Sequence, residues 1–156
     1  MFVDLIGSTA LSTRLDAEDM RDVITTYQNA VADVVNQFGG FVAKLMGDGV
    51  LCYFGWPRAN EDDTERAVRA GLAIIAKVET LLAPDGTALA TRIGVATGVV
   101  IVGDLVGIGA SQEAAVIGET PNLAARLQNI AAPNQLIVPG EALPLLGTAF
   151  DLQPMG

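Results

Sequence analysis

The chain contains no histidine and only one cysteine, Cys52, among its 156 residues. The absence of histidine excludes Ser-His-Asp and Cys-His catalysis and every histidine-ligated metal site. A single cysteine excludes an internal disulfide and a Cys-rich zinc site, and it favours a reducing, cytoplasmic setting. Any catalysis must therefore come from carboxylates, lysine, arginine, backbone amides or a hard cation.

Basic residues are also scarce: 9 lysines and arginines face 18 acidic residues, which gives a formal net charge of −9. This charge argues against nucleic acid or an anionic membrane surface as the main partner. It does not exclude a nucleotide, because metal ions held between carboxylates and a triphosphate make a site locally cationic. Long apolar runs are missing too. None approaches the roughly 18–20 residues that span a bilayer, so we expect no membrane insertion by this domain.

What the chain does have is enough apolar material for one folded domain. Hydrophobic residues make up 51% of the sequence, which predicts an ordered globular state with its own core. Only three residues precede Asp4, which lies in a predicted central strand. We therefore expect residues 1–156 to be one domain of a longer, multidomain protein.

Hydrophobic periodicity and turn residues predict an alternation of strands and helices. Asp16, Asn60 with Asp63, and Thr120 followed by Pro121 are predicted to start the three helices. The strands are predicted at 2–6, 41–46, 50–54, 92–97, 99–103, 114–117, 135–138 and near 150–152, and the helices at 16–38, about 60–82 and 120–130.

This order of elements predicts an α+β fold. The β-α-β-β-α-β succession is typical of a ferredoxin-like sandwich, with a mostly antiparallel sheet, helices on one face, and extra strands appended.

Two acids stand where strand patterning favours an apolar or a turn residue. Asp4 interrupts the apolar strand at 2–6, and a carboxylate buried there needs a partner. Asp48, between Gly47 and Gly49, fits either a simple hairpin turn or a functional carboxylate. Two carboxylates about 4 Å apart repel by roughly 4 kcal/mol at an effective dielectric near 20. A divalent cation between them reverses that sign, and ligand sets without His or Cys favour Mg²⁺ or Mn²⁺.

Two further segments are candidates for substrate binding. Gly7, Ser8 and Thr9 follow the first strand, where small residues let backbone N–H groups approach phosphate oxygens, although an ordinary strand-to-helix turn fits equally well. Lys44 lies within an apolar strand. It is either a lysine that snorkels from a strand edge or a donor to a base ring.

Asn122 and Arg126 are four residues apart in the helix at 120–130, so their side chains project from one face. That face can present an amide and a guanidinium to a single ligand. Pairing of Arg126 with a surface acid is the alternative.

Taken together, four segments resemble the catalytic domain of class III adenylyl and guanylyl cyclases. They read Phe-Val-Asp-Leu-Ile-Gly-Ser-Thr at 2–9, Lys-Leu-Met-Gly-Asp-Gly at 44–49, Arg-Ile-Gly-Val-Ala-Thr-Gly at 92–98, and Val-Ile-Gly-Glu-Thr-Pro-Asn-Leu-Ala-Ala-Arg-Leu at 116–127. One such segment would be weak, but four in this order and spacing cover nearly the whole chain.

The resemblance implies an adenylate cyclase that converts ATP to 3′,5′-cyclic AMP and pyrophosphate in a signalling protein, with two Mg²⁺ or Mn²⁺ ions per active site. Asp4 and Asp48 match the family's metal-binding aspartates, and the backbone carbonyl of Leu5 matches a further ligand. Lys44 matches the lysine that recognises adenine, where guanylyl cyclases generally carry an acid.

The resemblance also implies a homodimer with shared active sites. Asn122 matches the residue that positions the ribose, and Arg126 matches the arginine that stabilises the transition state. In this family that pair meets the aspartates across a head-to-tail interface, so each site draws on both subunits.

Among the departures from the pattern, one concerns the residue that reads the base. Three residues before Gly118, where the family commonly has Asp or Thr to read the base, this chain has Ala115. Two alternatives therefore stay open: a cyclase with relaxed ATP/GTP selectivity, and a catalytically inactive nucleotide-binding or dimerisation module on the same fold.

Overall fold

The computed structural model describes residues 1–100 and 119–155. The predicted strand at 114–117, most of that at 99–103, and Ala115 lie outside these residues. The strands are β1 (Phe2–Leu5), β2 (Phe41–Met46), β3 (Gly49–Tyr53), β4 (Thr91–Gly94) and β5 (Gln135–Ile137). The helices are α1 (Ser8–Arg14), α2 (Ala17–Gln37), α3 (Asp63–Val78), α4 (Glu119–Ile130) and α5 (Leu143–Leu146), with a 3₁₀ turn at Gly140–Ala142.

The five strands form one sheet in the order β2-β3-β1-β4-β5. Strand β1 is central and runs antiparallel to both β3 and β4, β2 is antiparallel to β3, and β5 is parallel to β4. The order of the first four strands is that of a ferredoxin-like core, which confirms the predicted α+β class. The parallel strand β5 is one of the predicted extensions.

Helices α2 and α3 cover one face of the sheet. Asp16 caps α2 as predicted, since its side chain accepts a hydrogen bond from the Asp19 N–H at 2.7 Å. Strand residues whose side chains alternate onto this face join both helices in a single apolar core. Its most deeply buried members include Val3, Leu5, Tyr27, Val31, Val35, Val50, Cys52, Ile74, Val78 and Ile93.

Helix α4, by contrast, crosses the opposite face, so the predicted arrangement with helices on one face holds for α2 and α3 but not for α4. At Gly94 of β4 an added Cβ would collide with the Ala124 carbonyl oxygen and would lie 2.6 Å from the backbone nitrogen of Gln128. Gln128 also reaches Asp4, whose side chain points away from the α2–α3 core. A glycine in β4 thus lets a helix backbone lie directly on the sheet.

Several predicted boundaries differ from the structure. The strand predicted near 150–152 is wrong: no strand is assigned there, and the Phe150 ring packs under the Arg69 guanidinium of α3 at 5.1 Å. Helix α3 starts after Asp62 and ends at Val78, short of residue 82. Strand β4 ends at Gly94 although Val95 still donates a backbone hydrogen bond to Ile137. Among residues 1–100 and 119–155, no helix is long and apolar enough to cross a membrane.

Candidate active site

Asp4 lies in the central strand, opposite Gly49 of β3 and Arg92 of β4. Because Val3 and Leu5 point into the core, the intervening carboxylate must point to the α4 face. There its Oδ2 atom accepts hydrogen bonds from Gln128 Nε2 at 3.1 Å and from Arg92 Nη2 at 3.4 Å.

The electrostatics of Asp4 are those of a crowded, half-buried acid. Burial raises the pKa of the Asp4 carboxyl above its ordinary value, and the nearby charge of Asp48 raises it further. One hydrogen bond from Arg92, the Arg92 charge and one hydrogen bond from Gln128 oppose that shift without cancelling it. The Asp4 carboxylate is therefore a group that another cation would stabilise.

Asp48 is brought to the same end of β1 by the turn between β2 and β3. Gly47 has a φ of +61°, which this tight turn requires. The Asp48 carbonyl then accepts the Leu5 N–H at 3.1 Å, and the Ser8 hydroxyl donates to the Asp48 carboxylate. The structure thus places Asp48 beside the last residue of β1, close to Asp4.

The segment Gly7, Ser8 and Thr9 borders this pair of acids. Gly7 has a φ of +75° and leads into α1, which begins at Ser8. The Ser8 hydroxyl is bonded to Asp48, while Thr9 is exposed. These residues lie at the edge of the site, where only Ser8 contacts one of the acids.

Lys44 lies two strands away on the same face as Asp4. Register pairs Lys44 with Leu51 and Leu51 with Phe2, so these residues share the face of Asp4. Two strand spacings and two residues along the sheet separate the α-carbons of Lys44 and Asp4 by roughly 12 Å. That separation is long enough for one elongated ligand to contact Lys44 and the two acids together.

Asn122 and Arg126 are not brought to the acids of their own chain. The buried residues of α4 are Pro121, Ala124 and Gln128, whereas Asn122 and Arg126 are exposed. At 3.6 residues per turn the two sets point about 150° apart around the helix. The Asn122–Arg126 face is thus directed away from the sheet that carries Asp4.

Sequence reasoning alone misses two neighbours of Asp4, Arg92 and Gln128. Arg92 lies within one of the four cyclase-like segments, whereas Gln128 follows the last of them. Arg92 could have been found by pairing β1 with β4, because the alternation then places it on the Asp4 face. Gln128 is a polar residue four positions after a buried alanine, Ala124, which indicates a polar side chain turned toward the sheet.

A separate cavity of about 230 Å³ lies between the end of β3 and the start of α4. Its described lining includes Leu51, Tyr53, Trp56, Thr97 and Pro121, but neither Asp4 nor Asp48. The cavity is therefore distinct from the cluster of acids.

Comparison with known proteins identifies the family. The profile described as the adenylate and guanylate cyclase catalytic domain matches residues 1–156. The chain belongs to this cyclase family. An adenylate cyclase from Streptomyces coelicolor is 33% identical over 88% of this chain. An uncharacterised protein from Rhizobium meliloti is 32% identical over 94% of it. The chain spans 31% and 14% of the lengths of these two relatives.

Solved structures of cyclase domains share the fold. The guanylyl cyclase Cya2 superposes with a TM-score of 0.85 at 30% identity, covering 99% of this chain and 83% of the other. The adenylyl cyclase CyaB from P. aeruginosa gives 0.78 at 28% identity, covering 93% and 77%. These neighbours include cyclases named for each of the two nucleotides, so the family fold alone does not select ATP or GTP.

The acids of this cyclase domain fit a hard divalent cation. Within residues 1–100 and 119–155, no group of three or more His, Cys, Asp or Glu side chains is placed to hold a metal. Mg²⁺ is usually held by only one or two carboxylates, with substrate phosphates and water completing the shell. Asp4 and Asp48 supply two carboxylates, and a cation bound between them would relieve their mutual repulsion.

Proposed function

We propose that this chain is an adenylate cyclase, which converts ATP to 3′,5′-cyclic AMP and pyrophosphate. The observation that carries the proposal is the grouping of Asp4 and Asp48 at one end of β1, with Lys44 on the same sheet face. Membership of the cyclase family supports the reaction class, and Lys44 supports ATP as the substrate. Its ammonium only donates hydrogen bonds, which suits N1 of adenine, an acceptor, and not the N1–H of guanine.

In the proposed reaction the ribose 3′-oxygen attacks the α-phosphorus, and the bond from that phosphorus to the pyrophosphate oxygen breaks. The 3′-hydroxyl proton leaves to solvent. Mg²⁺ or Mn²⁺, when bound, would lower the pKa of that hydroxyl and would neutralise charge on the triphosphate. Asp4, Asp48 and the Leu5 carbonyl are the groups proposed to hold them.

The remaining roles fall to side chains that bind and orient the nucleotide. Lys44 donates to the adenine ring, and Gly7, Ser8 and Thr9 lie where phosphates would approach. Asn122 orients the ribose, and Arg126 donates to the phosphoryl oxygens on which negative charge develops.

A homodimer is part of this proposal. Asn122 and Arg126 point away from the acids of their own chain. A second copy arranged head-to-tail brings the exposed face of one α4 to the acids of the other subunit, and two-fold symmetry then gives two equivalent shared sites. We further propose that this unit is the catalytic domain of a longer signalling protein that acts in the cytoplasm.

The product decides the reaction. Purified protein incubated with ATP and Mn²⁺ should yield 3′,5′-cyclic AMP by chromatography, and Asp48→Ala and Arg126→Ala should each abolish it. Mixing the two inactive variants should restore about a quarter of the wild-type activity, because half of randomly assorted dimers are mixed and each holds one complete site. Binding of ATP without any product would instead support the inactive module.

Nucleotide selectivity needs its own measurement, because Ala115 cannot hydrogen-bond a base through its side chain. Equal concentrations of ATP and GTP in one reaction should give mainly cyclic AMP. A product mixture would show relaxed selectivity, and cyclic GTP alone would overturn the assignment of Lys44.

A further inference from the structure

Gln128 is the one polar side chain of α4 that is buried against the sheet among the described residues. It is 3% exposed, and its neighbours on this side of the helix are Pro121 and Ala124. A buried amide is costly unless it is hydrogen-bonded. Its Nε2 atom donates to Asp4 Oδ2 at 3.1 Å, so a candidate metal ligand satisfies this buried amide.

The backbone around Gln128 is held in a fixed position relative to Asp4. Gly94 allows α4 to pack directly on β4, and the backbone nitrogen of Gln128 lies close to this glycine. Arg92 ties the same end of the helix to the acid: Nη1 donates to the Asn129 carbonyl at 3.1 Å and Nη2 donates to Asp4 Oδ2 at 3.4 Å. The Gln128 donor is therefore anchored by contacts that do not involve its own side chain.

Gln128 Nε2 and Arg92 Nη2 both donate to the Oδ2 atom of Asp4. Among the described residues, none donates to Oδ1. A carboxylate held through one oxygen keeps a defined orientation and leaves the other oxygen for a cation. Hydrogen bonds to a ligating carboxylate serve this purpose in metal sites, and losing one typically costs about 10–100-fold in metal affinity.

We propose that Gln128 is a positioning residue for Asp4: from the buried side of α4 it fixes the carboxylate in the orientation that binds the divalent cation. This inference rests on the proposed function, since it concerns the same metal ions. It also gives α4 two roles, because Asn122 and Arg126 on its outer face are proposed to act in the partner's site.

The test is binding of Mn²⁺, followed by the electron paramagnetic resonance signal of the free ion, for wild type and Gln128→Leu. The leucine is close in size but lacks the donor, and we expect Mn²⁺ affinity to fall about tenfold. In the cyclase assay the Mn²⁺ concentration for half-maximal rate should rise to match, while KM for ATP at saturating Mn²⁺ stays unchanged. Asn129→Ala is the control, because Asn129 is an exposed neighbour that contributes only its backbone carbonyl.

A second measurement does not depend on metal or activity. In metal-free protein, the effects of Gln128→Leu and Asp4→Ala on the free energy of unfolding should be non-additive, because the two side chains share a hydrogen bond. If Gln128→Leu fails to fold, Gln128→Asn keeps the amide but shortens its reach by one methylene, and it should also weaken Mn²⁺ binding.

The outcomes separate this inference from the proposed function. Wild-type protein that binds Mn²⁺ no better than Gln128→Leu overturns the positioning role alone, as does an equal loss in Asn129→Ala. Additive effects on unfolding likewise overturn it. Wild-type protein that binds no Mn²⁺, with or without ATP, overturns the proposed metal site and this inference together.

Discussion

The two faces of the sheet are built on opposite principles, although they share the same strands. On the α2–α3 face, successive inward residues are apolar and fully buried, as Val3, Ile93 and Val50 illustrate. On the α4 face, the residues between them include Asp4 and Arg92, which are partly exposed and charged. Because side chains alternate along a strand, a residue that stabilises the core lies next in sequence to a charged residue of the candidate site.

The difference shows where the protein tolerates electrostatic cost. An acid whose pKa is raised by burial and by a second acid opposes folding in its ionised form. The apolar face compensates with side chains that mostly have no polar N or O atom to satisfy, Tyr27 with its buried hydroxyl being an exception. We therefore expect substitutions on the α4 face to affect activity more than stability. Substitutions on the α2–α3 face should affect stability more than activity.

The largest expected effect follows from Asp4→Asn. Cyclase activity should fall on the order of 10²–10³-fold, because the carboxylate charge that we propose holds the cation is lost. The pKa of Asp4 is raised in the folded state, so metal-free wild type binds a proton there more tightly folded than unfolded. Its stability therefore declines as pH rises from about 3.9 through the raised pKa. The asparagine variant lacks this decline, so its melting temperature in chelator should exceed that of wild type increasingly over this window.

Asp33→Asn is the matched control for that comparison. Asp33 is an exposed acid of α2, 67% accessible, and lies 3.7 Å from Lys77. Its substitution should leave activity unchanged and should produce no comparable gain in melting temperature. If Asp4→Asn destabilises metal-free protein at neutral pH, the contrast between the two faces is wrong at its most charged residue.

Ile74→Ala tests the apolar face. Ile74 of α3 is fully buried in the core, and the cavity left behind should cost about 2–5 kcal/mol in urea-induced unfolding. The turnover number per folded molecule should stay close to wild type. Leu72→Ala, on the same helix but 48% exposed, should cost much less. If Ile74→Ala and Leu72→Ala lowered the free energy of unfolding equally, the assignment of Ile74 to the core would be wrong.

Gly94→Ala should lower the free energy of unfolding less than Ile74→Ala does, but it should lower both stability and cyclase activity. The added methyl meets the Ala124 carbonyl, so α4 must move off the sheet, at a cost of about 1–3 kcal/mol. Because α4 also carries Gln128, Asn122 and Arg126, activity should fall as well. Gly140→Ala, where the methyl would meet open space, should alter neither. Retained activity in Gly94→Ala would mean that the height of α4 above the sheet is unimportant.

Local sequence signals predicted the fold better than the site. The apolar stripe of α2 and the Asp16 cap are encoded within neighbouring residues, and both agree with the structure. Asp4 was found because it breaks an apolar strand. The contacts of Arg92 and Gln128 with Asp4 span 88 and 124 residues of sequence, so no local pattern shows them.

The wrong strand near 150–152 has a related cause. Its two apolar residues, Phe150 and Leu152, satisfied a short alternating pattern, but a strand also needs a free edge to pair with, which the sequence does not reveal. Phe150 instead packs against the core and the Arg69 side chain. Short apolar segments near the end of a domain are therefore weak indicators of sheet structure.

The irregular pairing of β2 with β3 has a consequence for Lys44. Val42 pairs with Cys52, yet Lys44 pairs with Leu51, so one additional residue, Ala43, is accommodated between them. In an uninterrupted ladder Lys44 would face Val50 and its ammonium would enter the apolar core. The bulge in this edge strand therefore keeps the Lys44 ammonium on the face of Asp4. Deleting Ala43 would make the ladder regular and would still leave Lys44 opposite Leu51, so only a ladder that keeps Ala43 without a bulge would bury the cation.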